Sequence, residues 1–392
     1  MKKQSIRDIE VTHKKVLVRA DFTVPLDQGK VSDDTRIRTT LPTLRYLMDR
    51  KARIVCCSHL GRPKGTVNES LRLTPVAERL SELLGTTVRK VDDCIGPEVE
   101  QAVEALEPGE VLLLENLRFY PQEKDNDAEF ANSLAGLAEV YVNDAFAAAH
   151  RAHASTEGVA HHLPAVAGLL MEQELEALGR VLENPQHPFV VILGGAKISD
   201  KIGVIERFLE IADSLLLGGG MANTMLKAKG YELGQSLVEA ESLDEAEGLL
   251  QKAGEKIVLP EQVVVAETFD AQAERKTVGV DQVPPEWRIM DIGPETVQRF
   301  KGILDPARMI IWNGPLGVTE MPAFAEGTNQ VARLLAELEE ATTIVGGGDS
   351  VAAVNQSGVA ERMTHVSTGG GAFLNFMEGR KLPGVEILHE KA

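Results

Sequence analysis

An α/β architecture in two halves, each built on a parallel sheet, is predicted by three features of the sequence. Short apolar runs of strand type alternate with amphipathic stretches in the N-terminal half, as in a parallel sheet covered on both faces. The 392 residues exceed what one typical hydrophobic core supports, so two domains are expected. In the C-terminal half, apolar runs end in glycine clusters, as strands do when they turn tightly into helices.

The first elements follow in order. Val16-Leu17-Val18 leads to Arg19-Ala20-Asp21-Phe22-Thr23, so a strand delivers a polar tip. Residues 37–50 have helical spacing, and Ile54-Val55-Cys56-Cys57 ends in Ser58-His59-Leu60-Gly61-Arg62-Pro63. Thr74-Pro75 opens a further helix, with threonine as the expected N-cap and proline in the first turn. Val111 to Leu114 delivers Glu115-Asn116-Leu117-Arg118, and Val140-Tyr141-Val142 delivers Asn143-Asp144, followed by His150, Arg151 and His153. Ligands of such sheets gather outside the carboxyl ends of the strands. Asp21, His59, Arg62, Arg118 and Arg151 each follow a different apolar run, with Arg36 and Arg38 in a connection. Scattered arginines are usually solvated surface. Repeated at one end of a sheet they would converge, and their forked guanidinium suits phosphate and carboxylate.

Composition narrows the partners. A content of 43% hydrophobic and 26% charged residues is that of a soluble globular protein. The formal charge of -18 argues against nucleic acid or an anionic membrane, so any anionic substrate needs locally gathered cations. Cys56, Cys57 and Cys94 have no metal or disulfide spacing and read as reduced thiols. No signal peptide and no stretch of about 18 apolar residues is present, so a cytoplasmic location is expected. His150, His153, His161 and His162 lack cysteine or acidic partners at ligand spacing and fit helix ends or substrate contacts better than zinc.

Pro164 to Glu183 reads as one long amphipathic helix, stopped by Asn184-Pro185 and His187-Pro188 before a new β-run at Phe189. It suits an inter-domain connector or an ordinary crossover. Beyond it, Val190 to Leu193 leads to Gly194-Gly195-Ala196-Lys197, and Leu215 to Leu217 leads to Gly218-Gly219-Gly220. Ile310-Ile311-Trp312 leads to Asn313-Gly314-Pro315. Two further runs end in Gly346-Gly347-Gly348-Asp349-Ser350 and Gly369-Gly370-Gly371. Such clusters either make tight turns or let a phosphate approach the N–H groups of a helix start. Lys197 and Lys201, four apart, are expected on one face of the helix they open. Exposed solubilising lysines are the usual reading, but at this glycine turn a bound anion that offsets their conflict with its dipole is the better one. Asp349 suits a magnesium ion beside phosphate oxygens.

There is no G-x-x-x-x-G-K-[ST], no G-x-G-x-x-G after a strand and no protein-kinase motif set. A half with arginines and a half with glycine turns, lysines and an aspartate meet the needs of phosphoryl transfer, which are positioning and cations. A nicotinamide dehydrogenase would want the missing fingerprint. A non-catalytic phosphosugar- or phosphate-binding protein would use the arginines but not Lys197, Asp349 and a second glycine array.

Over essentially its whole length the chain resembles phosphoglycerate kinases. The resemblance rests on Arg19 to Pro25, Asp34 to Ile37, Ser58 to Pro63, Glu115 to Phe119, His150 to His153 and Leu193 to Lys197 with Asp200-Lys201. It continues through Gly218 to Ala222, Trp312 to Pro315 and the last two glycine turns. It implies two Rossmann-like three-layer domains with parallel sheets, joined by a long helix, with a deep inter-domain cleft. The expected division is 1–168 for 3-phosphoglycerate, 169–184 for a hinge helix, 185–378 for nucleotide and 379–392 returning to the N-terminal domain. Asp21, Phe22, Thr23, Arg36, His59, Leu60, Gly61, Arg62, Arg118 and Arg151 would bind 3-phosphoglycerate or 1,3-bisphosphoglycerate. ADP or ATP would meet Gly194, Gly195, Lys197, Lys201, Gly218, Asn313, Pro315, Glu320, Gly346, Gly347, Gly348, Asp349 and Ser350, with Mg2+ on Asp349. Arg36, Lys197 and the amides of Gly369, Gly370 and Gly371 would carry catalysis, in a cytoplasmic monomer without nucleic-acid or membrane partners. Thr23, Phe373 and Asn375 depart from the family's usual asparagine, serine and glutamate.

Overall fold

The computed structural model describes residues 2–391. It divides into two compact units, residues 1–176 with 380–392 and residues 177–379.

In the first unit, β1 (Lys15–Arg19), β2 (Arg53–Cys57), β3 (Val88–Lys90), β4 (Val111–Leu113), β5 (Val140–Asn143) and β6 (Ala165–Ala167) form one parallel sheet. Its order is β3-β4-β2-β1-β5-β6. Helices cover both faces of such a sheet, so its strands read as nearly unbroken apolar runs. Leu17 lies beside Val55 on one side and Tyr141 on the other. The chain builds outward from β1 on one side, then crosses to β5, so the switch point lies at β1 and its tip opens the ligand crevice. The helix Thr35–Asp49 buries Ile37, Leu41, Leu44 and Leu47, a helical stripe that packs into the sheet's core.

Two local expectations are corrected. Residues 164–183 are not one helix: Ala165 to Ala167 pair with Tyr141 to Asn143 as a strand, and the helix is Leu169–Glu183. Three small or β-branched buried residues fit the pleated edge there. Thr74 is the first residue of the helix Thr74–Leu84 rather than its cap, and the Leu73 amide is instead satisfied by Glu115 Oε1 at 3.0 Å. The final residues belong to this unit: Asn143 Nδ2 donates to Gly384 O at 2.9 Å, and His389 N donates to Ala165 O at 2.9 Å.

In the second unit, β7 (Phe189–Leu193), β8 (Ser214–Leu217), β9 (Ile257–Val258), β13 (Met309–Asn313), β14 (Thr342–Gly346) and β15 (His365–Val366) form a parallel sheet of order β9-β8-β7-β13-β14-β15. The switch point falls between β7 and β13, which are hydrogen-bonded neighbours. Trp312, Phe300 and Val345 are among its buried core side chains. A separate antiparallel sheet, which the sequence reading did not foresee, has the order β11-β10-β12, with β10 at Gln262–Ala266, β11 at Arg275–Gly279 and β12 at Arg288–Ile292. Its β10–β12 register shifts between Val264 and Val265.

Candidate active site

At the carboxyl end of the first sheet, the tip of β1 joins the start of the following helix. The Arg36 guanidinium bonds Asp21 Oδ2 and also donates to Thr23 Oγ1 at 2.7 Å. Thr23 Oγ1 in turn donates to Asp21 Oδ1 at 2.6 Å. Threonine at this position therefore still joins the polar triad. Phe22 is buried and its amide donates to Ser58 Oγ at 3.0 Å.

The β2 tip brings His59 and Leu60 into buried positions, with Gly61 partly covered and Arg62 exposed. Asn116 fastens this turn through bonds to Leu60 N at 3.2 Å and Leu60 O at 2.8 Å. Arg118 Nη1 donates to Gly61 O at 2.9 Å, while its buried Nε has no partner. Arg151 is exposed, with Nε bonded to His150 Nε2 at 3.1 Å.

The arginines act on one another. Burial, Arg151, Arg19 and Arg62 together depress the Arg118 pKa to about 10, still far above neutrality. Burial, then Arg19, Arg118 and Arg151, push His59 well below the ordinary histidine value. Cations crowded at one sheet end on an acidic chain need an anion. Arg19 is a member the sequence reading named only within its motif. Glu123 and Ser155, which lie behind it, carried no motif signal.

The second unit gathers its glycine turns around the β7–β13 switch point. Lys201 Nζ donates to Gly194 O at 2.7 Å, Asn313 O at 2.9 Å and Asn313 Oδ1 at 2.6 Å. Burial lowers its pKa to about 8, despite the opposing pull of Asp349 and Asp200. The shared helical face expected for Lys197 and Lys201 is not formed. The helix begins only at Ile202, so both lysines precede it; Lys201 turns inward and Lys197 is exposed.

Some glycines here are packing requirements. A Cβ on Gly194 would stand 1.9 Å from Pro315 O, and Gly347 combines a φ of 95° with a would-be Cβ 2.6 Å from Asn313 Nδ2. Asn313 Nδ2 donates to Gly346 O at 2.8 Å, and Ser350 Oγ donates to the same carbonyl at 2.7 Å while accepting from Gly314 N at 2.9 Å. Gly348, by contrast, is exposed with open space about it and opens the helix Gly348–Gln356. Gly370 caps the short helix Gly371–Met377, and the Gly369 amide donates to Ser367 Oγ at 3.1 Å.

A cavity of about 430 Å³ adjoins these turns. Gly195, Pro315, Glu320 and Asp349 line it, as does Gly219, next to Gly218. Sequence reasoning missed Leu237, Phe269, Arg288 and Asp291, which also line it. Leu237 and Phe269 are large apolar side chains more than half exposed, an arrangement suited to the faces of a base. Asp349 is exposed at a helix start on the wall of this cavity. No cluster of three or more histidine, cysteine or acidic side chains able to hold a metal occurs among the described residues. One carboxylate, completed by phosphate oxygens and water, is the donor set magnesium usually takes with a nucleotide. The residues fit that ion.

Comparison with known proteins adds a consistent result. A family model described as phosphoglycerate kinase matches residues 6–380. The phosphoglycerate kinases of Moorella thermoacetica and Thermomicrobium roseum are 58% and 57% identical, covering 100% and 99% of this chain and 100% of each relative. The solved phosphoglycerate kinase of Coxiella burnetii matches with a TM-score of 0.89 at 42% identity, covering 98% of both chains. That of Pyrococcus horikoshii matches with a TM-score of 0.88 at 35% identity over 98% of both.

Proposed function

This chain belongs to the phosphoglycerate kinase family, and from that premise we infer how its residues divide the work of the transfer. The enzyme moves the acyl phosphate of 1,3-bisphosphoglycerate to ADP, reversibly, giving 3-phosphoglycerate and ATP. A terminal oxygen of the ADP β-phosphate attacks the acyl phosphorus, and the bond from phosphorus to the carboxylate oxygen breaks. No proton moves, because attacking and leaving oxygens are both anions. The chain must supply position and positive charge.

Asp21, Thr23, Arg36, His59, Arg62, Arg118 and Arg151 hold the three-carbon substrate in this reading. The supporting observation is the gathering of Arg19, Arg62, Arg118 and Arg151 at one sheet end, where burial first and then the neighbouring guanidinium charges depress Arg118. Phe22, Leu60 and Gly61 shape the backbone around them. The cavity of the second unit takes the nucleotide base, with Glu320 at its rim. Lys201 and Asn313 brace the turns that receive the phosphates, and Gly346 to Ser350 with Asp349 lie against them.

Arg36 and Lys197 neutralise the phosphoryl group in flight, with the amides of Gly369 to Gly371 assisting. Bound on Asp349, magnesium would supply charge neutralisation for the stationary phosphates. Residues 1–168 and 379–392 form the substrate domain and 185–378 the nucleotide domain, with the helix Leu169–Glu183 as hinge for a closure that excludes water. A cytoplasmic monomer is the state we propose.

The reaction is tested by 31P NMR of the chain mixed with magnesium ATP and 3-phosphoglycerate. Appearance of ADP and an acyl phosphate is the expected result; a folded sample without transfer contradicts it.

A further inference from the structure

We propose that the buried relay Glu123–Ser155–Arg19 positions His59 as a neutral ring that offers its Nε2–H to the substrate anion. This rests on the assignment of the arginine cluster to 3-phosphoglycerate made above. Glu123 is fully buried; its Oε1 accepts from Ser155 Oγ at 2.6 Å and its Oε2 accepts from the Ser155 amide at 2.9 Å. The one hydroxyl proton of Ser155 is thereby committed to Glu123, so toward Arg19 its oxygen can only accept. Arg19 Nε donates to it at 2.8 Å, and Arg19 Nη1 bonds Ala20 O. Two contacts thus fix the plane of a guanidinium only 1% exposed.

Arg19 Nη2 meets His59 Nδ1 at 2.8 Å. Arginine has donors and no acceptor, so Nδ1 must present its lone pair and the ring proton stands on Nε2. Nδ1 is the only ring nitrogen of His59 with a hydrogen-bond partner among the described residues, which leaves Nε2–H for a ligand. A neutral donor suits this position. It adds a hydrogen bond to an anion without adding repulsion to Arg118 and Arg151, whose charges already bear on His59. The Glu123 carboxyl faces Arg19 with the Ser155 hydroxyl standing between them. Burial raises the Glu123 pKa, while Arg19 and the Ser155 hydrogen bonds favour its ionised form. Neither Glu123 nor Ser155 touches the substrate, so both are positioning residues.

The test is the tautomer of His59 in the full-length chain, read by long-range 1H–15N correlation and assigned by loss of the signal in His59→Gln. The expected signature is a protonated Nε2 and an unprotonated Nδ1 at neutral pH. A proton on Nδ1, or on both nitrogens, in the unmodified chain overturns the proposal whatever the variants do. Ser155→Ala should give a mixed tautomer and raise the KM for 3-phosphoglycerate about tenfold with the KM for ATP unchanged. Ser155→Thr, which keeps the hydroxyl, should restore both readings. An Nε2–H ring in Ser155→Ala with unaltered KM would overturn the positioning role. If the tautomer is as stated but His59→Gln leaves the KM for 3-phosphoglycerate unchanged, the substrate assignment fails and takes the ligand half of the proposal with it.

Discussion

The ring of Phe373 lies against the backbone of Gly346 so closely that a Cβ on Gly346 would stand 2.5 Å from its Cε2 atom. Phe373 is fully buried in the first turn of the helix Gly371–Met377. It therefore packs that helix onto the end of β14, where a smaller residue would leave a void. Phe373→Ala is expected to lower stability by about 3–5 kcal/mol. Gly346→Ala, which overlaps the ring, should cost about 1–3 kcal/mol. Urea unfolding measures both, and a near-neutral Phe373→Ala would contradict the packing role.

Arg118 already gives one donor to Gly61 O and holds a buried Nε with no partner. Its truncation removes a cation from the cluster but no group from the phosphoryl path. Arg118→Ala is expected to raise the KM for 3-phosphoglycerate roughly 10–100-fold, with a much smaller change in kcat. A fall in kcat at unchanged KM would reassign the residue to the transition state.

Asp291 accepts from Gly327 N at 2.8 Å and Ile292 N at 2.9 Å, yet burial raises its pKa from 3.8 to about 7. The folded chain thus keeps a proton that the unfolded chain has lost across this window. Stability from this group is present at low pH and falls as pH rises toward 7. Asp291→Asn should flatten that slope. Unfolding free energies at pH 4.5 and 7.5 decide the matter, and an equal slope in the variant counts against it.

Lys201 gives the opposite sign. Its folded pKa of about 8 lies below the ordinary 10.5, so above pH 8 the unfolded chain binds more protons and stability rises with pH through that interval. Lys201→Met removes the donor that Gly194 O and Asn313 Oδ1 have, while Asn313 O keeps the Gly194 amide at 3.0 Å. It should lose about 1–3 kcal/mol at neutral pH and remove the alkaline rise. A variant of unchanged stability would show that the cross-tie does not matter.

The strands that carry the polar tips were legible because they are nearly unbroken apolar runs with an arginine or glycine cluster within a few residues. Val88–Lys90, with two cationic residues of three, and the two-residue Ile257–Val258 were not. Ala165 to Ala167 was not, because its small residues also suit the helix that starts two residues later. The antiparallel strand Gln262–Ala266 looks like any parallel one in sequence, since Val263, Val265 and Ala266 are all buried. The inward turn of Lys201 depends on where the helix starts, which spacing alone did not locate. Glu123 and Ser155 reach Arg19 from distant stretches of chain, and only the fold brings them there.

The central claim, that cations from the chain rather than proton transfer carry the reaction, is tested most directly by the kinetics of Lys197→Ala with both substrates varied. Turnover should fall by roughly 10²–10³ while both KM values stay near those of the unmodified enzyme. An unchanged kcat, or a loss confined to KM, would contradict the account.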